Sequence, residues 1–437
     1  MRIPLPMKLI PMLMLVVTSG PVSASGFQLL EQNASGIGTA YAGSAVIGDN
    51  ASTVFFNPAA MTRLQAREIS AGMTGVKPTF RFHDQGSQVG ALSGQGNGGD
   101  AGDWAALPNF YTTFAVNRDI YLGLGISAPF GLKTEYDRHW LGAAQSSRFE
   151  VKTININPSL AYRVNDHLSL GFGLNWQKLE AKYDRQVSIA PGFSQVKSAL
   201  EIDDGAWGWN IGAMWTLSPS TRIGLSYRSR VEYRATGHAK LTSDGSASGQ
   251  TAANLLIASG GQSRVRADID MPDSLILSVA QKLSERWEMF GDLSCTAWSS
   301  IPKVDIIRTS GPLNGRIAQT LDTDFRDAWR IAWGASYQYN PAWKIKFGMA
   351  YDQTPVKRAS TRMVSLPDND RVWFSLGTQW TPDKNSRLDF GLAYLYVRDD
   401  KIDNDQRHAS PVSNRGRVSG DYNGHIWLIG GQYSLAF

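Results

Sequence analysis

The chain is poor in cysteine, in long apolar runs and in blocks of one-signed charge. A single Cys295 among 437 residues leaves no intramolecular disulfide and no cysteine-based zinc site. It reads as a small residue on a strand. Only one apolar run approaches the length of a membrane-crossing helix, and it lies at the extreme N-terminus, which excludes a polytopic helical membrane protein. The 43 Lys and Arg and 38 Asp and Glu are interspersed, so no nucleic-acid patch is expected from the net charge of +5. The histidines His83, His139, His167, His238, His408 and His425 are scattered, with no H-E-x-x-H spacing. No G-x-S-x-G surrounds a nucleophile. A triad assembled by folding stays open, but the residues favour neither an enzyme nor a metal or cofactor site. Gly94-Gln95-Gly96-Asn97-Gly98-Gly99 matches G-x-G-x-x-G by letters, yet no helical pattern follows and it reads as a loop. Asp368-Asn369-Asp370 lacks the fuller calcium-loop pattern and reads as a turn. What is abundant instead is glycine and aromatics, with 43 Gly, 14 Trp, 15 Tyr and 17 Phe, which points to a large all-β chain.

The first segment reads as an address. Arg2 and Lys8 precede the apolar Leu9–Val17, and Val22-Ser23-Ala24 fits a small-residue cleavage site. Residues 1–24 are expected to be a signal peptide, with a buried N-terminal helix as the alternative. Residues 25–65 and 66–437 form the two remaining expected units.

From about residue 107 the chain alternates. Ile154, Ile156, Pro158, Leu160, Tyr162 and Val164 interleave with polar or small residues, as do Leu168, Leu170, Phe172, Leu174 and Trp176. Such a period of two fits any half-buried antiparallel sheet. The turns narrow the choice. Tight polar breaks at 117–119, 165–167, 218–220, 284–286, 340–341 and 382–384 alternate with longer loops such as Gln85–Asp103, Thr242–Ser263 and Arg398–Gly420. Six tight turns between seven long-loop hairpins make 14 strands, the layout of a bacterial outer-membrane barrel. Expected strand starts are Ala66, Leu107, Ile120, Phe149, His167, Leu200, Thr221, Arg264, Arg286, Phe325, Ala342, Asp370, Asn385 and Gly420.

The last alternating run, Trp427 to Phe437, ends on an aromatic residue, and Phe437 is expected to serve as the assembly signal for the barrel-insertion machinery. A closed barrel of this size encloses more volume than its own side chains fill. Residues 25–65 are the candidate plug: the segment lacks long alternation but carries Phe27, Leu29, Leu30, Tyr41, Phe55 and Phe56 for packing. A disordered tail is the alternative.

Ser25-Gly26-Phe27-Gln28-Leu29, Ala34-Ser35-Gly36-Ile37-Gly38, Asn57-Pro58-Ala59, Phe130–Tyr136, Asn155–Ser159, Phe325–Arg330, Leu366–Arg371 and Tyr433–Phe437 follow one another in order along the chain. Through this ordered set the chain resembles the FadL family of outer-membrane transporters for long-chain fatty acids and other hydrophobic molecules. It implies a 14-stranded antiparallel transmembrane β-barrel with an N-terminal hatch inside the lumen. It further implies capture of ligand by extracellular loops, a lumenal pocket, hatch rearrangement and lateral exit at a kink in the third strand. Pro129-Phe130-Gly131 supplies residues for that kink, since proline removes a ladder donor and glycine weakens a strand. The alternative is that these three end the strand. Asn57, Pro58 and Ala59 match the hatch motif. Phe27 matches the hatch aromatic lining the pocket. Arg185 falls where the family carries a carboxylate-contacting arginine, although Asp184 beside it offers a competing partner. The family's second basic pocket residue has no clear counterpart, and Arg316 is a substitute candidate. The implied function is passive uptake of long-chain fatty acids across the outer membrane of a Gram-negative bacterium. Monoaromatic or other neutral hydrocarbons are the alternative cargo, and a general aqueous porin ranks below both. Outer-membrane lipid and lipopolysaccharide are the expected surroundings, and a monomer the expected state.

Overall fold

A computed structural model describes residues 26–90, 95–189, 195–408 and 414–437. The expected signal peptide, residues 1–24, lies outside the described residues. One antiparallel sheet closes on itself. Its 14 barrel strands are β1 Arg67–Asp84, β2 Ala105–Ala115, β3 Ile120–Ser127 with Gly131–Glu135, β4 Arg148–Arg163, β5 Leu168–Val187, β6 Val196–Ser218, β7 Thr221–Arg228 with Val231–Thr242, β8 Ser263–Met271 with Ser274–Lys282, β9 Trp287–Thr296 with Val304–Arg308, β10 Ile317–Leu321 with Ala328–Asn340, β11 Trp343–Asp352, β12 Arg371–Trp380, β13 Ser386–Asp405 and β14 Arg417–Ala436. β1 and β14 pair from Glu68 with Ala436 to Asp84 with Gly420, which closes the ring. Closure removes the free first and last edges that an open sheet would present to lipid, where an unbonded backbone group has no water to turn to.

Face polarity is the reverse of a soluble barrel. Leu170, Phe172 and Leu174 of β5 and Trp427, Ile429 and Tyr433 of β14 stand exposed on the outside. Inside, Asn175, Gln177, Asn210 and Gln432 are buried. A buried ion pair, Lys346 to Asp389 at 2.8 Å, and a partly buried one, Arg387 to Glu68 at 2.9 Å, cross the inner wall. An outward apolar band over a polar interior is the membrane-barrel arrangement.

Most strand starts fall within four residues of the expected ones, Leu200 expected against Val196 observed among them; β10 differs more, expected at Phe325 and observed at Ile317, because the short run Ile317–Leu321 precedes Ala328–Asn340. Two loops differ. Thr242–Ser263 contains a helix, Ala247–Ala258, because Ser246 caps it by accepting from Gly249 N at 2.9 Å and Ala252 and Ala253 pack on Val196. Much of Arg398–Gly420 is strand, with Asp405 paired to Arg417. There the wall stands clear of the apolar band, so it shows no apolar alternation.

The segment from Gly26 to Leu64 fills the lumen through short turns, Ile37–Thr39, Thr53–Phe56 and Pro58–Arg63. Such irregular backbone leaves carbonyls and amides that the wall must satisfy. Asp292 accepts from Gly43 N at 2.6 Å and Ser44 Oγ at 2.6 Å. Arg330 donates to Ala40 O, Lys346 to Ser35 O and Arg228 to Phe55 O. Asn57, fully buried, caps the Pro58–Arg63 turn by accepting from Ala59 N at 3.0 Å and donates to Ala213 O of β6 at 3.1 Å. The wall makes room with glycine: a Cβ on Gly212 would stand 1.9 Å from Asn57 Oδ1, and one on Gly171 would stand 2.3 Å from Ala59 N.

Gly212→Val should therefore unseat the Asn57 turn while leaving the ladder intact. The expected result is a heat-modifiable barrel band like that of the parent, with raised permeability to small polar solutes in liposome swelling. A parent-like permeability would contradict this seat.

Candidate functional site

Strand β3 leaves the ladder between Ser127 and Gly131. Pairing of β2 with β3 runs only from Phe110 with Ile126 to Ala115 with Tyr121, so Ala105–Asn109 of β2 have rungs on the β1 side alone. Residues of the lumenal segment take up the slack. Leu29 N donates to Pro129 O at 2.8 Å, and Gly131 N donates to Phe27 O at 3.0 Å, around an antiparallel bridge between Gln28 and Phe130. Phe130 turns inward and is buried. Its ring meets Phe27 at 6.1 Å and Trp298 at 6.1 Å, and Trp298 in turn meets Phe27 at 4.7 Å and Phe325 at 5.9 Å. Pro129, Phe130 and Gly131 thus form an inward break to which the lumenal segment is directly bonded.

Above this aromatic cluster lies an apolar slot of about 70 Å³. Phe27, Leu179, Leu200, Ile202, Ile269, Met271, Val304, Ile306, Met363 and Leu366 line it. It abuts a wider polar vestibule of about 540 Å³ at the long-loop end, and Tyr183, Leu321 and Met363 line both. Arg185 is half-buried on the inward face of β5, one step beyond Tyr183. The competing carboxylate is occupied elsewhere: Asp184 pairs with Lys197 at 2.7 Å. Arg316 sits exposed in the turn after Arg308, and neither it nor Arg185 lines either cavity. Arg308, on β9 two residues past the slot residue Ile306, shares the inward face of Ile306 without itself lining the slot.

The first described residue is clamped by a loop. Asp368 accepts from Gly26 N at 2.8 Å and from Arg371 at 2.6 Å, and Arg371 donates to Gly26 O at 3.1 Å. Burial pushes the Asp368 carboxyl above its ordinary range, and Arg371 pulls it back. The triplet read as a turn is thus a buried clamp, with Asp370 accepting from Tyr351 Oη at 2.7 Å. Sequence reasoning missed the Asp368–Arg371 clamp, Trp298, Arg308 and the slot's aliphatic lining. The ordered Leu366–Arg371 match was the one signal that marked the clamp.

Asp368→Asn keeps the shape but leaves Arg371 without its carboxylate, and breaking one side of a buried pair costs about 3–5 kcal/mol. Gly26 covers Trp298, so release should expose that indole. The Trp298-dependent emission, taken as the difference from a Trp298→Phe background, should shift to the red. An unchanged spectrum would contradict the clamp.

Comparison with known proteins agrees with this geometry. Residues 15–437 match the family model described as outer membrane protein transport protein (OMPP1/FadL/TodX). The long-chain fatty acid transport protein of Escherichia coli K12 is 29% identical over 444 residues, covering 95% of each chain. Outer membrane protein P1 of Haemophilus influenzae is 30% identical over 422 residues, covering 87% of this chain and 88% of that one. In fold, a Pseudomonas aeruginosa FadL homologue superposes with a TM-score of 0.86 at 21% identity over 94% of this chain and 99% of that one. The Pseudomonas putida toluene transporter TodX gives 0.64 at 16% identity, over 89% of this chain and 94% of that one. The chain belongs to the FadL/TodX family of outer-membrane transport proteins, which carry hydrophobic compounds.

Proposed function

We propose that the protein takes up long-chain fatty acids, with the chain in the apolar slot and the carboxylate on Arg185. One observation carries this reading: an aliphatic slot abuts a vestibule at Tyr183, and one step further on the same inward strand face stands Arg185, which no carboxylate of the described residues neutralises. Burying a methylene contributes about 0.8 kcal/mol, so the chain supplies most of the affinity. A carboxylate is costly to bury unpaired, and an arginine can meet it with two parallel hydrogen bonds. A ligand seated against Phe27 competes with the packing of Phe27 on Trp298 and Phe130. Displacing Phe27 strains the bonds that tie residues 27–29 to Pro129 and Gly131. Their release opens the rung-free edge of β2 and gives the ligand a sideways route into the membrane. Asn57, Pro58 and Ala59 anchor the rest of the hatch while this happens.

Neutral monoaromatic hydrocarbons are the second reading. The slot's small volume favours them, as does the fold shared with a protein described as a toluene transporter.

The test is growth on oleate of a strain lacking its own uptake protein. The parent chain should restore growth. Arg185→Ala should slow uptake at limiting oleate, since a hydrogen bond to a charged group is worth about 1.5–3 kcal/mol, or roughly ten- to a hundredfold in affinity. Restored toluene entry without oleate growth would move the function to the second reading.

A further inference from the structure

Arg415 lines the vestibule, and Arg185 and Arg308 each follow a cavity-lining residue on an inward strand face without lining either cavity themselves. Arg185 follows Tyr183 on the inward face of β5, and Tyr183 lines both cavities. Arg308 follows Ile306 on the inward face of β9 and donates to Ser263 Oγ at 2.8 Å and Gly261 O at 3.0 Å. Arg415 lines the vestibule, is only 9% exposed, and has a buried Nε with no hydrogen-bond partner among the described residues. Arg185 lies within electrostatic reach of both Arg308 and Arg415. The nearby carboxylates do not answer these charges. Asp184 is held by Lys197 at 2.7 Å, and Asp405 in the vestibule wall is held by Arg407 at 2.6 Å. Asp322, also in the vestibule wall, is exposed.

Guanidiniums on facing parts of one inner wall repel one another, and the repulsion grows as the local dielectric falls. A monocarboxylate offers one negative charge and two oxygens. A phosphate monoester carries about −1.5 to −2 and three strong acceptor oxygens, which suits several arginine forks at once. We propose that the mouth of the slot prefers an alkyl or acyl chain ending in a phosphate monoester over a carboxylate of the same chain length. This inference rests on the reading that the slot holds the chain and Arg185 its acidic head; Arg308 and Arg415 add the preference for a second charge.

The test is calorimetric titration of the purified full chain in non-ionic detergent with dodecyl phosphate and with dodecanoate. At about pH 8 the phosphate is above its second ionisation. Both titrations are repeated with Arg308→Gln and with Arg415→Gln. Dodecyl phosphate should bind at least about tenfold more tightly, the worth of one added charge-assisted hydrogen bond. Each variant should weaken phosphate binding more than carboxylate binding, so that the ratio falls toward one. Dodecanoate binding that depends on Arg185, with phosphate no tighter, would overturn the preference and leave the fatty-acid reading standing. A phosphate preference that survives both variants would also overturn it. Binding of neither ligand would bring down both.

Discussion

A wall that faces lipid must bond its own backbone, because the bilayer core offers no partner for a stray N–H or C=O. Nearly all of this barrel meets that demand by strand pairing. At residues 128–130 the pairing stops, and the demand is met from within: the backbone of residues 27 and 29 exchanges hydrogen bonds with Gly131 and Pro129. The same bonds therefore do two things. They complete the wall at its weakest place, and they hold the start of the hatch against it. While these bonds hold, hatch start and wall break move together.

The slot sits where it can act on those bonds. Its floor is Phe27, whose ring shares an aromatic cluster with Phe130, Trp298 and Phe325. The loop carrying Met363 and Leu366 forms another side of the slot, and Asp368 of that loop grips Gly26. Slot, loop clamp, hatch residue and wall break thus occupy one contiguous region. The remainder of the hatch is pinned independently by Asp292, Arg330, Lys346 and the Asn57 turn. A local shift of residues 26–29 consequently does not require expulsion of the whole hatch.

Much of the barrel was legible because period-2 alternation survives wherever a strand has lipid on one side and polar interior on the other. It faded above the apolar band, where β13 and β14 continue with Ile402 and Val418 buried under loops rather than facing lipid. The helix Ala247–Ala258 stayed hidden for a related reason, its buried face being one glycine and two alanines. Phe27 and Asn57-Pro58-Ala59 could be singled out by resemblance. Their partners could not, since the contact of Gly26 with Asp368 spans 342 residues. Arg316 was singled out and Arg308 was missed because their placement depends on register: Arg308 pairs with Val265 on the inner face while Arg316 falls in the exposed turn, and nothing in local composition signals it.

The direct test of the shared bonds is a reversible lock across them. Gln28 and Phe130 form an antiparallel bridge flanked by the hydrogen-bonded residues, a pairing with Cα atoms about 4.5 Å apart and within disulfide reach. Oleate uptake would be measured for Gln28→Cys with Phe130→Cys in a Cys295→Ser background, oxidised and then reduced. Uptake should fall to background in the oxidised form and return on reduction. Equal uptake with the disulfide demonstrably intact would show that the ligand passes without parting the hatch from the wall.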